Sequence, residues 1–295
     1  MNDRHNKSAM LSIAAFLLIL FCSAAYAQNQ NPAEGGSYAG IDSCAVCHEE
    51  IAKAYRKSPH WASAKMKLPS DERKGCEACH GPGQKHADDP SQPIFSFRKE
   101  EPRDRSAHCL SCHGTRKGSS FRQSVHERNN ISCDMCHSSG HGSARQAGLK
   151  LLQQPENLLC GSCHGEQSAQ FQMPFRHRTT DGVLLCRDCH DAHGRSVRVV
   201  GKIRRDQPCF RCHSEKQGPF TFEHLASTVT GCATCHQPHG STNPRLLTRN
   251  EVRFLCLECH ADTSRFHDLS NSRFYNCTVC HSAIHGSYVD SNFLR

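Results

Sequence analysis

Residues 186–194 read CRDCHDAHG, a stretch in which two cysteines and two histidines fall within nine positions. Cys186 and Cys189 are followed directly by His190, and a second imidazole, His193, comes three residues later beside a glycine. The unit Cys-x-x-Cys-His recurs along the chain, so its number and spacing decide the fold class. The copies, numbered one to ten in chain order, are CAVCH (44–48), CEACH (76–80), CLSCH (109–113), CDMCH (133–137), CGSCH (160–164), CRDCH (186–190), CFRCH (209–213), CATCH (232–236), CLECH (256–260) and CTVCH (277–281).

Cys-x-x-Cys-His is the attachment signature of c-type haem. Two thioether bonds hold the edge of the porphyrin, and the adjacent histidine reaches the iron as proximal ligand. Structural zinc and disulfides also use paired cysteines, but neither requires a histidine after every pair. With 22 histidines among 295 residues, ten chance occurrences in ten pairs have a probability on the order of 10⁻¹¹. We therefore predict ten covalently attached haem c groups.

The predicted attachment residues are the two cysteines of each motif, and the predicted proximal ligands are the ten motif histidines. The cysteines are Cys44, Cys47, Cys76, Cys79, Cys109, Cys112, Cys133, Cys136, Cys160, Cys163, Cys186, Cys189, Cys209, Cys212, Cys232, Cys235, Cys256, Cys259, Cys277 and Cys280. The proximal ligands are His48, His80, His113, His137, His164, His190, His213, His236, His260 and His281.

Outside the motifs, and apart from His5, eleven histidines remain, close to the ten that ten six-coordinate irons need. Even-numbered motifs carry a histidine three to six residues past the proximal one, and odd-numbered motifs carry it seven to thirteen residues past. This alternation predicts five dihaem repeats with a period of about 50 residues. His108 breaks the pattern and is predicted not to be a ligand. The predicted distal ligands are His60, His86, His126, His141, His177, His193, His224, His239, His267 and His285.

Methionine is the main alternative as distal ligand and would raise the reduction potential. Met66, Met135 and Met173 occupy no recurring position, so histidine is favoured. With two histidines on every iron, no coordination position is open for a substrate, which is typical of electron transfer rather than catalysis. We predict an electron carrier and not an enzyme; a multihaem reductase with a high-spin iron is a less favoured alternative.

The short spacing in CRDCHDAHG has its own consequence. Three residues span at most about 10 Å, which leaves little slack for a path from His190 around the edge of a porphyrin. We therefore predict that His193 serves a neighbouring haem rather than the haem of motif six. The glycines that follow the motifs suit either tight turns or a close approach of the backbone. They are Gly81, Gly114, Gly142, Gly165, Gly194, Gly240 and Gly286.

Hydrophobic residues make up 37% of the chain and aromatic residues 7%, which is low for a chain that builds an ordinary hydrophobic core. Between motifs the chain has little sustained periodicity, so we predict mostly irregular backbone with short helices, one of them over 49–55. The predicted fold is a multihaem cytochrome c in which this backbone wraps a stack of ten haems over residues 41–295, after a short lead at 28–40. A formal charge of +8 could indicate a nucleic-acid partner. The propionates of ten haems would offset this charge, so we predict no such partner.

Residues 1–27 are predicted to be a secretory signal peptide. Arg4 and Lys7 precede the apolar run 10–22, and an A-x-A cleavage signal stands at 25–27. The run is too short for a membrane span, which takes about 20 apolar residues. We therefore predict an exported protein, water-soluble by itself.

Strings longer than the attachment signature give a specific resemblance. They are CEACHGPGQKH (76–86), CFRCHSEKQGPFTFEH (209–224), CATCHQPHGS (232–241) and CTVCHSAIHGS (277–287). In these strings, and across residues 40–295, the chain resembles the MtrA/PioA/DmsE family of periplasmic decahaem cytochromes. That family has a residue other than histidine at the place of His108.

The resemblance implies a periplasmic protein with a near-linear wire of ten haems, held inside an outer-membrane β-barrel protein. The wire would carry electrons between the periplasm and an extracellular donor or acceptor. It implies as further partners a periplasmic or inner-membrane cytochrome and an extracellular multihaem cytochrome or reductase. Irregular backbone cannot face lipid with its polar groups unpaired, so a bilayer crossing by this chain needs a protein sheath. Metal reduction and iron oxidation would use the same wire. The alternative is a soluble periplasmic shuttle that feeds a terminal reductase.

Overall fold

The computed structural model describes residues 36–65, 74–114, 120–138, 141, 151–194, 206–264 and 266–294. By its internal contacts the chain divides into two units, Met1–Glu100 with Ser139–Ala144, and Glu101–Ser138 with Arg145–Arg295. The predicted signal peptide lies outside the described residues, as does most of the lead that follows it. Within the described ranges, no helix combines the length and the apolar character that a membrane crossing requires.

The Cys-x-x-Cys-His unit folds as one helical turn. In nine of the ten copies the histidine N–H donates to the carbonyl of the first cysteine, for example His80 to Cys76 at 3.0 Å and His190 to Cys186 at 2.9 Å. The remaining copy, motif three (residues 109–113), forms the end of a longer helix. Residues i, i+3 and i+4 share one face of a helical turn, so both thiols and the imidazole point the same way. The spacing of the motif is therefore the spacing of a helix.

The first unit is built from short helices. They are α1 (Ile41–Cys47), α2 (Glu49–Arg56), a 3₁₀ helix (Pro59–Lys65), α3 (Glu77–His80) and α4 (Gln84–Asp88). The helix predicted over 49–55 is confirmed as α2. Its apolar side buries Ala52 and Tyr55, while on its exposed side Lys53 bridges Glu49 at 2.8 Å.

Glu77 ties the start of the first unit to motif two. In the sequence it follows the first cysteine of that motif, and it is only 1% exposed. The carboxylate accepts backbone N–H groups from Ala39 at 2.8 Å, Gly40 at 2.9 Å and Gly83 at 2.8 Å. A buried carboxylate is costly unless it is hydrogen-bonded, and these three donors satisfy it. The segment that leads into α1 is thereby fixed against α3.

The second unit repeats the same short elements. They are α5 (Pro102–His113), a 3₁₀ helix (Phe121–Gln123), α6 (Val125–Arg128), α7 (Cys133–Cys136), α8 (Glu156–Gly161), α9 (Gly165–Gln170), β1 (Phe175–Arg176), α10 (Cys186–Cys189), α11 (Gln207–Phe210), a 3₁₀ helix (Ser214–Lys216), a π helix (Ala226–Thr230), a 3₁₀ helix (Cys232–Thr234), β2 (Gly240–Ser241), a 3₁₀ helix (Pro244–Leu246), α12 (Val252–Leu257) and two 3₁₀ helices (Ser272–Phe274, Cys277–Val279). The strands β1 and β2 pair antiparallel, with Phe175 opposite Ser241 and Arg176 opposite Gly240.

The protein buries few apolar side chains. Among the described residues, the buried apolar side chains are those of Ala52, Tyr55, Leu110 and Phe121. An ordinary core of a chain this long would bury many more apolar side chains. The architecture of short helices joined by irregular backbone is the one expected from the sequence, and the backbone alone does not enclose a conventional core.

Candidate haem sites

The site is defined by imidazoles that face each other in pairs. Nine pairs have ring centroids between 5.9 and 6.5 Å apart, and each joins a motif histidine to a predicted distal histidine. A metal–nitrogen bond of about 2 Å on either side of one ion puts two imidazole centroids about 6 Å apart. The spacing therefore fits an iron held between the rings. The pairs are His48–His86, His80–His141, His137–His193, His164–His126, His190–His239, His213–His177, His236–His285, His260–His224 and His281–His267.

The pairing does not follow proximity in sequence. His193 faces His137 of motif four at 5.9 Å, while His190, its near neighbour, faces His239 at 6.0 Å. A histidine that follows an even motif reaches back in this way to the preceding even motif. One that follows an odd motif reaches forward, as His126 does to His164 of motif five at 6.1 Å.

His86 and His267 depart from this rule, because each of them faces a motif histidine of its own repeat. In the first unit, His86 follows motif two and faces His48 of motif one at 6.5 Å. In the second unit, His267 follows motif nine and faces His281 of motif ten at 6.1 Å. His60 lies on the 3₁₀ helix Pro59–Lys65, and His108 and His113 lie on α5.

Eight of the paired imidazoles have a hydrogen-bond partner at Nδ1, and for six of them it is a backbone carbonyl. An imidazole that binds a metal through Nε2 carries its proton on Nδ1 and needs an acceptor there. Backbone carbonyls are the usual acceptors in this protein, which fixes the tautomer because a carbonyl only accepts. These bonds run from His80 to Phe95 (2.8 Å), His86 to Gln92 (2.8 Å), His126 to Ala192 (3.1 Å), His177 to Pro238 (2.6 Å), His236 to Arg245 (2.9 Å) and His281 to Asn292 (2.5 Å).

Two of the predicted distal ligands use side-chain acceptors instead. The Nδ1 of His239 donates to Oε1 of Gln170 at 3.1 Å, and that of His267 lies 2.9 Å from Oγ of Ser264. Sequence reasoning missed Gln170 and Ser264, since neither belongs to a motif or to a recurring position. In both cases Nε2 is left for a metal.

Burial keeps several distal imidazoles in the neutral form that binds metal. Burial is the main cause that lowers the pKa of His141, His224, His239 and His285, and the imidazole that each one faces lowers it further. A ligating histidine must be deprotonated at Nε2. The environment therefore favours the protonation state that iron ligation requires.

The two motifs of each repeat lie with their first cysteines in contact. Sγ of Cys209, Sγ of Cys232 and a carboxylate oxygen of Asp206 lie within 4.8 Å of one another. No disulfide joins any of the twenty motif cysteines, all of which lie in the described ranges. The contacting first cysteines are Cys44–Cys76, Cys109–Cys133, Cys160–Cys186, Cys209–Cys232 and Cys256–Cys277.

These contacts perturb the thiols strongly. Burial, and then the neighbouring Cys76, raises the pKa of Cys44 to about 11. Hydrogen bonding to Cys109 lowers the pKa of Cys133 to about 6. Burial raises the pKa of a thiol and a hydrogen bond donated to its thiolate lowers it, so the stronger of these two effects decides the direction at each cysteine.

A polar side chain just before an odd motif caps the even motif of the same repeat. Helix N-termini leave backbone N–H groups without helical partners, and an oxygen from elsewhere can satisfy them. The oxygens belong to Ser106, Glu156 and Asp206, which accept from the N–H of Cys133 (3.4 Å), Arg187 (2.8 Å) and Cys232 (3.2 Å). Their recurrence three or four residues before the first cysteine is a signal that a comparison of the repeats could have found.

Attachment turns, facing imidazoles at iron-spanning distance and occupied Nδ1 atoms together define a multihaem c-type cytochrome. Residues 177–218 and 224–265 match the family model described as "Doubled CXXCH motif". A curated relative, "Multiheme cytochrome MtrA" of Shewanella baltica (strain OS185), is 32% identical over 274 residues, which cover 85% of this chain and 80% of the relative. The chain belongs to the MtrA family of multihaem cytochromes. The resemblance seen in its motif strings is confirmed, and with it haem c binding and a role in electron transfer.

Proposed function

We propose that the chain binds ten haem c groups, each between two histidines, and conducts electrons as the periplasmic module of an outer-membrane conduit. The observation that carries this proposal is the set of nine facing imidazole pairs. Haem c supplies a one-electron iron couple when it is bound. The chain supplies two thioether anchors for each haem and both axial ligands, with His60 and His113 completing the proposed ligand set.

The order of the motifs in space supports conduction in chain order. Within a repeat, first cysteines meet, as Cys209 and Cys232 do. Between repeats, second cysteines are neighbours: the charge of Cys163 acts on Cys136, and that of Cys259 acts on Cys235. Attachment points that alternate in this way hold each haem beside the next one in the sequence. We therefore propose that, within the second unit, the haems of motifs three to ten follow one another in chain order.

The same geometry favours a carrier over an enzyme. A catalytic haem keeps one axial position open for its substrate. In the nine pairs, a histidine faces each motif histidine at a distance that an iron would fill from both sides. We therefore propose that the protein transfers electrons and that its partners carry out the chemistry on substrates.

The conduit role rests on the relative and on the physics of the backbone. The family member at 32% identity is a multihaem cytochrome MtrA. A chain of short helices and irregular segments exposes backbone groups that lipid cannot satisfy. We propose an outer-membrane β-barrel protein as its sheath, a periplasmic or inner-membrane cytochrome as one electron partner, and an extracellular cytochrome or reductase as the other. The proposed location is the periplasm, at the outer membrane.

The test is electron transfer across a sealed membrane. The protein is purified from its native host, co-purifying proteins are identified, and the complex is placed in liposomes that enclose a redox dye. We expect a barrel protein to co-purify and an external reductant to change the colour of the dye. Liposomes with the barrel alone are the control. Recovery of the cytochrome without a barrel, together with an unchanged dye, would instead support the soluble shuttle.

A further inference from the structure

Three tripeptides recur at equivalent places in the second unit, at 192–194, 238–240 and 284–286. Each has the pattern X-His-Gly and begins two or three residues after the last histidine of an even motif, and we call them the XHG tripeptides. Their central histidines, His193, His239 and His285, face the motif histidines of haems four, six and eight. The residues on either side of these histidines have a second role.

The first residue of each tripeptide serves the next haem in the series. The carbonyl of Ala192 accepts from Nδ1 of His126 at 3.1 Å, and that of Pro238 accepts from Nδ1 of His177 at 2.6 Å. The Ile284 backbone receives the equivalent bond from His224. These three donors face the motif histidines of haems five, seven and nine.

The glycine that ends each tripeptide allows the tripeptide backbone to lie very close to neighbouring residues. A Cβ at Gly240 would lie 1.9 Å from the backbone oxygen of Gln170. At Gly194 it would lie 2.8 Å from Cα of Ser124, and at Gly286 it would lie 2.2 Å from the ring of Phe220. No side chain fits at such distances, since van der Waals contact begins near 3.5 Å. All three glycines lie close to neighbouring atoms, and Gly194 (φ 73°) and Gly286 (φ 143°) also adopt a backbone conformation that favours glycine.

We propose that each XHG tripeptide is a positioning element that sets the axial ligands of two successive haems at once. Its histidine is a ligand of one haem, and its carbonyl orients the ligand of the next through Nδ1. Acceptors at Nδ1 make an imidazole a stronger donor to its metal. Haems four and five, six and seven, and eight and nine thus have ligand fields that change together. This inference rests on the proposed ligand pairs.

The Gly240→Ala variant tests the coupling. The added methyl group must push residues 238–240 away from Gln170, which moves His239 and lengthens the bond from His177 to Pro238. We expect two haems, six and seven, to change their reduction equilibrium constants by about tenfold, or about 59 mV for a one-electron couple. Redox titration followed by EPR counts the shifted haems. Paramagnetic NMR contacts to residues of motifs six and seven identify them.

The matched control is Gly165→Ala. Gly165 also follows a proposed ligand directly, His164, but nothing lies within 4 Å of a Cβ built there. We expect no haem to shift in this variant. A Gly240→Ala protein in which a single haem shifts, or none, would overturn the proposed coupling.

A second variant keeps the test decisive if Gly240→Ala lowers haem incorporation. His193→Met leaves every attachment cysteine in place and exchanges one ligand, and methionine ligation raises the potential. We expect haem four to shift strongly and haem five to shift as well, because Ala192 adjoins the exchanged ligand. His267→Met is the control, since Ser264 rather than a tripeptide holds that ring, and it should shift haem ten alone.

The possible results distinguish a failure of the coupling between haems from a failure of the proposed ligand pairs. A His193→Met change confined to haem four refutes the coupling and leaves the ligand pairs standing. A change that appears at haem six and spares haem four refutes the ligand pairs themselves.

Discussion

At the residue scale, Gln170 shows how one side chain can set the character of one ligand. Its Nε2 donates to Oε1 of Glu166 at 3.2 Å, and its Oε1 accepts from Nδ1 of His239 at 3.1 Å. The carboxylate only accepts, so it orders the amide with its oxygen towards the imidazole. The amide oxygen accepts the Nδ1 hydrogen bond and would thereby strengthen the proposed ligand His239 as a donor to iron.

We predict opposite shifts for two substitutions of Gln170. Gln170→Leu removes the acceptor and should raise the potential of haem six, because a weaker donor stabilises ferric iron less. Gln170→Glu places a carboxylate there and should lower it. Each change is expected to be on the order of tenfold in the reduction equilibrium constant, about 59 mV. Potentiometric titration with EPR detection measures both.

The controls are the same changes at Gln172. Its side chain is exposed and lies just past the end of α9, so Gln172→Leu changes polarity and Gln172→Glu adds a charge without touching His239. Both should leave haem six at its original potential. Shifts of the same sign in Gln170→Leu and Gln170→Glu would point to general loosening and contradict the role of the acceptor.

At the scale of elements, the helical turn of each motif was predictable and the long-range ties were not. The i, i+3, i+4 spacing of the motif appears in the sequence and becomes a turn through a local hydrogen bond, as in Cys186 and His190. In each of the nine facing pairs, one member is a motif histidine and the other is a histidine that the alternating pattern selects. Their partners could not be read from sequence, since His190 and His239 meet through the packing of separate repeats. The Nδ1 acceptors are mostly carbonyls, which no residue type reveals.

We predict that Glu77→Gln releases the segment leading into α1. A glutamine amide offers one oxygen where the carboxylate offers two, so at least one of the N–H groups of Ala39, Gly40 and Gly83 loses its acceptor. Hydrogen bonds to a charged group are worth about 1.5–3 kcal/mol, which is about tenfold or more in the local opening equilibrium. Hydrogen–deuterium exchange of the peptide over 36–47 should speed up accordingly.

Glu50→Gln is the comparison for this prediction. Glu50 also belongs to the first unit, but its side chain is 85% exposed and pairs with Lys53 at the surface. Surface pairs of this kind contribute little, so exchange should be unchanged. Equal effects of the two variants would show that Glu77 has no special part in fixing the segment.

At the scale of the whole molecule, the proposed ligand set leaves every iron with two imidazoles. We therefore predict that the oxidised protein shows only low-spin haem in EPR and binds no carbon monoxide when reduced. Intact mass should exceed that of the chain by ten haem groups. His239→Gly opens one position and serves as the positive control, with one high-spin haem expected. A high-spin signal in the unaltered protein would contradict a purely electron-carrying role.

The alternating reach of the histidines, forward from odd motifs and back from even ones, also orders events in time. A chain exported from its N-terminus presents His126 before motif five and His177 before motif seven, so those sites have both ligands as soon as their cysteines arrive. Motifs four and six must wait for His193 and His239 in the following repeat. Maturation of the proposed cytochrome would therefore proceed in overlapping steps, with each newly delivered repeat finishing the one before it.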